Sequence, residues 1–228
     1  MTSGSSSISA ALLAVRWLFF DLGNTLVSEE AAAECRIKRM ADALKRHGMS
    51  RSIEEVRSAF EDAWKRFAPR PAISVIEAFV DDPALRRPVA METPYPKELE
   101  VLYDGVEDVL RTLAASYQIG VIANQSVSST KRLKNWGLMD HVSTCLCSSE
   151  LGIEKPDPAI FRLALDRAGC AASQAVMIGD RIDNDIRSAK LLGWKTIRVL
   201  QGFARFQSPR DIWDEAEFTV QPLGVLIA

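Results

Sequence analysis

The sequence predicts an α/β fold, a Rossmann-like parallel sheet into which a helical domain is inserted. Short apolar runs of strand length alternate with helical patterns over most of the 228 residues, and this alternation is typical of parallel sheets. One all-helical block, of about residues 28–97, interrupts the alternation directly after the first strand. Two apolar runs end abruptly at Asp21 and Asp180, as buried strands do when they place an acid at the carboxyl edge of a sheet.

The first strand is the run W-L-F-F before Asp21, and the helical block follows it. Apolar residues in this block recur three and four positions apart, which indicates amphipathic helices. The first helix is expected to end at Gly48, the second to begin after Ser52 as its N-cap, and the third to begin near Pro71. Residues 83–96 are expected to form a loop that includes one short helix. No convincing strand occurs in the block, so it is expected to form a cap separate from the sheet.

After the cap, strands and helices alternate. In chain order we expect a helix at 104–113, a strand at 117–124, a helix at 128–136, a strand at 141–147, a helix at 157–168, a strand at 175–180, a helix at 182–192 and a strand at 194–200. The alternation implies right-handed crossovers and a parallel sheet, and together with the single all-helical interruption it predicts the Rossmann-like sheet order 3-2-1-4-5. The predicted domains are a flexible tail at 1–10, a core formed by 11–27 and 98–228, and a helical cap at 28–97 over the carboxyl edge of the sheet.

Composition excludes several classes of partner. A hydrophobic share of 47% is that of a globular chain with a sizeable core, and the net charge of -2 offers no basic surplus to follow a nucleic-acid backbone. No apolar stretch is long enough to span a bilayer, and no positive charge precedes the apolar run at 8–15. We therefore expect a cytoplasmic protein without nucleic-acid or membrane partners. The four cysteines show no zinc-type pairing and are expected to be buried free thiols.

Three segments carry residues with complementary chemistry. Asp21 ends the first apolar run, Lys155 lies in G-I-E-K-P-D-P, and Asp180, Asp183 and Asp185 lie in G-D-R-I-D-N-D-I. Parallel α/β sheets bind ligands at the carboxyl edge of their strands. A nucleophilic carboxylate, a lysine and a carboxylate pair gathered there would suit a metal ion and a phosphorylated substrate.

Four segments, F-D-L-G-N-T-L, I-A-N, K-P-D-P and G-D-R-I-D-N-D-I, resemble in this order the motifs of the haloacid dehalogenase-like hydrolases, most of which are magnesium-dependent phosphatases. The resemblance spans Asp21 to Asp185 and implies a hydrolase core with a helical cap after the first motif. It implies that Asp21 attacks phosphorus and forms an aspartyl-phosphate, and that Lys155 keeps Asp21 ionised and screens the phosphate.

The same resemblance implies a Mg²⁺ site. Asp21 and Asp180 would bind the ion directly, Asp185 directly or through water, and Gly23 through its main-chain carbonyl. Asn124 and Lys155 would bind the substrate phosphate. Asp183 remains open, because it would serve equally well to begin the helix at residue 182.

Two positions depart from the motifs of the family. Gly23 stands where its phosphatases usually carry a second aspartate as general acid and base, a group that typically contributes about 10²–10⁴-fold to the rate. Ala123 stands where serine or threonine donates a hydrogen bond to the phosphoryl group, and its loss is expected to cost on the order of 10²-fold. An acid from the cap could substitute for the missing aspartate; the candidates are Glu29, Glu30 and Glu34.

Three functions fit these residues. The preferred one is a phosphatase of a small phosphorylated metabolite, with weak activity because of Gly23 and Ala123. A 2-haloacid dehalogenase also lacks the second aspartate but needs no metal, so Asp180 and Asp185 argue against it. A non-catalytic member that only binds a phosphometabolite or a protein would not need the full set of charged residues. Neither the substrate nor the oligomeric state follows from the sequence.

Overall fold

The computed structural model describes residues 12–126 and 128–227. The tail predicted at 1–10 lies outside the described residues. The chain divides into two compact units. The first comprises the described residues up to Val27, Leu102–Gln201 and the residues from Pro209 onward, and the second comprises Ser28–Val101 and Gly202–Ser208. That the second unit acts as a cap stays a prediction.

A six-stranded sheet forms the centre of the first unit. The strands in chain order are β1 (Trp17–Phe20), β2 (Val27–Ser28), β3 (Val101–Leu102), β4 (Gln118–Ala123), β5 (Thr144–Cys147), β6 (Ala175–Gly179), β7 (Lys195–Val199) and β8 (Phe218–Val220). Strands β2 and β3 pair with each other, and the others form a parallel sheet in the order β5-β4-β1-β6-β7-β8. The predicted order 3-2-1-4-5 is confirmed, and β8 adds an edge strand that the sequence analysis did not predict.

Strand β1 is the central strand, with β4 on one side and β6 on the other. Its four residues are all buried, and alternate side chains enter different hydrophobic clusters, as the pleat of a strand requires. Leu18 and Phe20 belong to one cluster, whereas Trp17 and Phe19 belong to another that contains Trp194. The ring centroids of Phe19 and Trp194 lie 5.0 Å apart. The all-apolar strand is therefore explained by helices or loops covering both faces of the sheet.

The helices of the second unit are α1 (Glu30–Arg46), α2 (Ile53–Lys65), α3 (Pro71–Phe79) and α4 (Pro83–Glu92). Ser52 caps α2 as predicted, and it forms a capping box with Glu55. Apolar residues of all four helices form one hydrophobic cluster, against which Phe203 packs. Phe203 belongs to the segment Gly202–Ser208, which the sequence analysis did not assign to this unit.

The remaining helices are α5 (Val106–Ala114), α6 (Ser129–Asn135), α7 (Ser148–Leu151), α8 (Pro158–Ala168) and α9 (Arg187–Lys190), with a π-helical turn at Ile182–Ile186 before α9. After β7, Asp214 links the segment that follows this strand to helix α9. Its carboxylate is fully buried and accepts hydrogen bonds from Arg210 and from Arg187 at the start of α9. Among the described residues, no helix is both long and apolar enough to cross a membrane.

Candidate active site

Three polar residues follow directly after three neighbouring strands. Asp21 follows β1, Asn124 follows β4 and Asp180 follows β6. The main-chain N–H of Asp21 donates to the carbonyl of Ile178 at 2.8 Å, so the ladder between β1 and β6 continues up to the acid. The chain reverses its direction of strand addition at β1, which is the switch point where doubly wound sheets bind ligands.

A tight turn follows Asp21. The carbonyl of Leu22 accepts hydrogen bonds from the main-chain N–H groups of Leu26 at 3.0 Å and Val27 at 2.9 Å. Asn24 has a left-handed φ of 50°, a conformation that asparagine tolerates better than most residues. Gly23 is not among the described glycines that adopt a positive φ. The backbone of this turn therefore does not itself require glycine at position 23.

Lys155 bridges two of the predicted acids. Its Nζ donates to Asp21 Oδ1 and to Asp185 Oδ1, each at 2.6 Å. Lys155 is only 3% exposed, and Asp185 is fully buried. A lysine buried against two carboxylates attracts them in a place where water screens charge little, and removing either partner would leave a buried charge uncompensated.

The electrostatics of this cluster follow from burial and from the opposed charges. Burial alone would lower the pKa of Lys155, but the carboxylates of Asp185 and Asp21 outweigh it and hold that pKa above its ordinary value. Burial raises the pKa of Asp185 to about 6, against the opposing effect of Lys155. One lysine thus faces more carboxylate than it neutralises, and a further cation would favour the ionised acids.

The π-helical turn places Asp185 in the cluster. The main-chain N–H groups of Asp185 and Ile186 both donate to the carbonyl of Arg181, at 3.0 and 3.2 Å. This turn brings Asp185 Oδ2 to within 3.0 Å of the main-chain N–H of Arg181. Gly179 completes the arrangement, since a Cβ at that position would overlap the Asp185 carboxylate. Such π-helical turns are frequent at functional sites.

Asp183 is held elsewhere. Its carboxylate accepts hydrogen bonds from the Arg181 side chain, from Nε at 3.1 Å and from an Nη at 2.6 Å. Within the part of the chain that the structure describes, the group of acids able to share a metal ion is Asp21, Asp180 and Asp185, with ligand oxygens all within 4.8 Å of one another. The acid whose role the sequence left open therefore forms an ion pair and is not part of this group.

These three carboxylates fit the ligand preference of Mg²⁺. The ion prefers hard oxygen ligands and is usually held by few carboxylates together with water and substrate phosphate. Asp21 and Asp185 both contact Lys155, and Asp180 and Asp185 are almost completely buried. The carbonyl of Gly23 as a further ligand stays a prediction.

Asn124 has an unexpected set of partners. Its Nδ2 donates to the carbonyl of Lys155 at 2.6 Å, and its Oδ1 accepts from the main-chain N–H of Lys155 at 2.8 Å. Its predicted role in binding substrate stays untested. Ala123 lies before it as the last residue of β4 and is buried, so the side chain of this position supplies no hydrogen bond.

The sequence pattern does not indicate a role for Arg198, which lies in β7 opposite Gly179. It is 6% exposed, and its Nε is 3.4 Å from the carbonyl of Asp180. Burial lowers the pKa of this guanidinium, while the charges of Asp180 and Asp214 oppose the shift. The sequence feature that could have indicated a role for Arg198 is a charged residue inside an apolar strand. Such a residue is expected to be buried, and a buried charge needs partners.

Of the acids considered as substitutes for the aspartate missing at position 23, Glu34 is paired within the second unit. Both of its carboxylate oxygens accept hydrogen bonds from Arg57. These bonds lower the pKa of Glu34 and so favour its ionised form, which carries no proton to donate. Glu30 lies 3.9 Å from Arg205.

Comparisons with known proteins agree with this geometry. The sequence profile of the family described as haloacid dehalogenase-like hydrolase matches residues 15–193. A glyceraldehyde 3-phosphate phosphatase of Methanopyrus kandleri is 26% identical over 216 residues, which cover 90% of this chain and 93% of that protein.

Two solved structures share the fold. The haloacid dehalogenase-like family protein SP0104 of Streptococcus pneumoniae is 20% identical, with a TM-score of 0.68 and coverage of 94% of this chain and 98% of that chain. A 2-haloacid dehalogenase of Pseudomonas syringae pv. Tomato DC3000 is 23% identical, with a TM-score of 0.56 and coverage of 90% and 94%. At these identities the likeness shows the fold alone, and a shared fold does not select the reaction.

Proposed function

Because the chain belongs to the haloacid dehalogenase-like hydrolase family, we propose that it is a magnesium-dependent phosphatase of a small phosphorylated metabolite, with Asp21 as its nucleophile. One observation carries the proposal. Lys155 Nζ lies 2.6 Å from both Asp21 and Asp185, and Asp180 belongs to the same group of carboxylates. The glyceraldehyde 3-phosphate phosphatase of Methanopyrus kandleri supports the substrate class.

The reaction would proceed in two steps. A carboxylate oxygen of Asp21 attacks phosphorus, a new O–P bond forms, and the bond to the leaving alcohol breaks. Water then hydrolyses the aspartyl-phosphate, which releases inorganic phosphate and restores Asp21. Lys155 supports both steps because its Nζ, hydrogen-bonded to Asp21, orients that carboxylate and places a positive charge beside the transferring group.

The side chains that would hold Mg²⁺ are those of Asp21, Asp180 and Asp185, and the main-chain carbonyl of Gly23 would add a ligand. When bound, the ion supplies positive charge that neutralises the oxygens of the phosphoryl group. Asp180 and Asp185 are almost completely buried, which would limit competition from bulk water for the ion.

In the described part of the chain, position 23 provides no proton donor for the leaving alcohol. Gly23 has no side chain, and Arg57 lowers the pKa of the substitute Glu34. The proposed enzyme therefore acts best on phosphate esters whose leaving groups need no protonation, or acts slowly on ordinary metabolites.

A substrate panel tests the proposal. Purified protein is assayed with phosphorylated metabolites, glyceraldehyde 3-phosphate and phosphoserine among them, in the presence of Mg²⁺, and with 2-haloacids in its absence. We expect phosphate release that needs Mg²⁺ and is abolished by Asp21→Asn, whereas Asp183→Asn retains it. Halide release without metal would show a dehalogenase instead, and inactivity on every substrate would favour a binding protein.

A further inference from the structure

The main chain of Lys155 lies in a loop between α7 and α8 and takes part in no sheet ladder. Lys155 is buried, so its main-chain N–H and carbonyl both need hydrogen-bond partners inside the protein. Among the described residues both partners come from one side chain: Asn124 Oδ1 accepts from the N–H, and Asn124 Nδ2 donates to the carbonyl. The loop that carries the lysine is therefore fixed to the end of β4 by a single carboxamide.

We propose that Asn124 is a positioning residue that sets the main chain of Lys155, and through it the place of Nζ between Asp21 and Asp185. The functional part of this inference rests on the phosphatase function proposed above. The lysine side chain is a flexible four-carbon stem. Fixing the main chain of Lys155 therefore restricts where Nζ can lie, and holds it 2.6 Å from both carboxylates. Asn124 acts on the reaction through Lys155 and needs no contact with the substrate to do so.

The chemistry of asparagine suits this role. A carboxamide presents one acceptor and one donor group on the same rigid plane, and the main chain of one residue presents the complementary pair. Aspartate would keep the acceptor but face the Lys155 carbonyl with a second oxygen. Alanine would remove both partners and leave two main-chain groups unsatisfied.

Asn124 lies at the end of a strand, which is a more rigid support than the loop that carries Lys155. It follows β4 directly, and β4 pairs with the strand β1 that ends at Asp21. Asp21 and Asn124, which holds the main chain of Lys155, therefore lie at the ends of adjacent strands of the same sheet. Sites supported in this way by rigid elements hold their geometry better than sites built from loops alone.

Chemical labelling tests the position of Lys155 without any substrate. Lysines are acetylated in the folded protein, and modification of each is measured by mass spectrometry in the native protein, Asn124→Asp, Asn124→Ala and the control Asn135→Ala, which changes an exposed asparagine at the end of α6. We expect Lys155 to be protected in the native protein and the control, and to react about tenfold faster or more in both Asn124 variants. Exposed lysines 131 and 134 serve as internal references.

A double-mutant cycle tests the effect on catalysis. Turnover of an aryl phosphate is compared for Asn124→Ala in the native background and in a Lys155→Met background. We expect Asn124→Ala alone to lower kcat by about 10²-fold, as small displacements of catalytic groups do, and to have almost no further effect once Nζ is absent. The fall in Tm, in contrast, should be similar in both backgrounds, because residue 155 keeps the same main chain.

The outcomes separate the alternatives. Unchanged protection of Lys155 in both Asn124 variants would overturn the proposal. Losses of kcat that multiply in the double variant would show that Asn124 acts independently of Lys155 and would also overturn it. Increased labelling in a protein that hydrolyses no phosphate ester would uphold the positioning role and refute the phosphatase function.

Discussion

The carboxylate of Asp185 lies against the Cα of Gly179, in the space that a Cβ at position 179 would occupy. Gly179 ends β6 and Asp185 belongs to the π-helical turn that follows, so the last residue of the strand limits where the acid can lie. The absence of one methyl group thus lets a fully buried carboxylate reach Lys155.

Gly179→Ala should therefore disturb the site more than the fold. The new methyl group pushes Asp185 away from Lys155 and from the other acids, and we expect about 10²-fold lower activity with a stability loss of about 1–3 kcal/mol. Gly224→Ala is the matched control, because a Cβ there meets no atom within 4 Å. Enzyme kinetics and denaturant unfolding of both variants check the prediction, and equal activity in the two would contradict it.

Asp180 and Asp183 offer a paired test of the metal site. Asp180 belongs to the group of acids that could share an ion, whereas Asp183 is bonded to Arg181. Asp180→Ala should abolish the rise in Tm caused by Mg²⁺, since it removes a charged ligand. Asp183→Ala should preserve that rise, although its baseline Tm is expected to fall. Thermal unfolding at increasing Mg²⁺ concentration measures both, and the assignment of the ligands fails if Asp180→Ala responds like the native protein.

Gly23→Asp should restore the proton donor. Gly23 is not among the described glycines that adopt a positive φ, so this dihedral does not by itself exclude a side chain there. We expect turnover of alkyl phosphates to rise by up to about 10²-fold, while aryl phosphates, which leave without protonation, change little. A leaving-group series on both proteins measures this selectivity. Ordinary enzyme rates on alkyl phosphates in the native protein would show that another acid already acts.

The tether at Asp214 should make stability depend on pH below the neutral range. Burial would raise the pKa of Asp214, but hydrogen bonds from Arg210 and Arg187 outweigh it and lower the pKa from 3.8 to about 2. The folded state thus favours the ionised acid, so its contribution of about 2 kcal/mol is complete above pH ~5 and is lost as the pH falls from ~4 towards ~2.

Asp214→Asn tests this dependence. The free energy of unfolding of the variant should lie below that of the native protein at neutral pH, and the gap should narrow as the pH approaches 2. Urea unfolding from pH 2 to 7 measures the gap. A constant difference across this range would show that Asp214 stabilises the fold by packing alone.

Much of the core could be predicted because its signals are local. Asp21 and Asp180 end apolar runs of strand length, and a parallel sheet brings the ends of such runs together. The edge strand β8 was missed because its three residues are too few to show a period. The role of Gly202–Ser208 in the second unit was missed because the segment follows the last predicted strand and carries no helical pattern of its own.

The sequence predicted which residues form the site better than it predicted the hydrogen bonds and ion pairs between them. Spacing alone could not separate Asp183 from Asp185, since the choice depends on the π-helical turn that directs one acid to Lys155 and the other to Arg181. The hydrogen bonds between Asn124 and Lys155 could not be predicted either. The two residues lie far apart along the chain, and neither of the sequence motifs that contain them indicates the contact.

The central place of β1 has a consequence for how the chain folds. The strand is complete at Phe20, but its neighbours begin only at Gln118 and Ala175. During synthesis β1 leaves the ribosome before β4 and β6, and neither of its edges is covered until β4 has followed it. The helices of the second unit can fold meanwhile from local contacts, whereas the sheet must wait for partners of high sequence separation. Rapid formation of β4 and β6 therefore shortens the time in which the edges of W-L-F-F can pair with other chains.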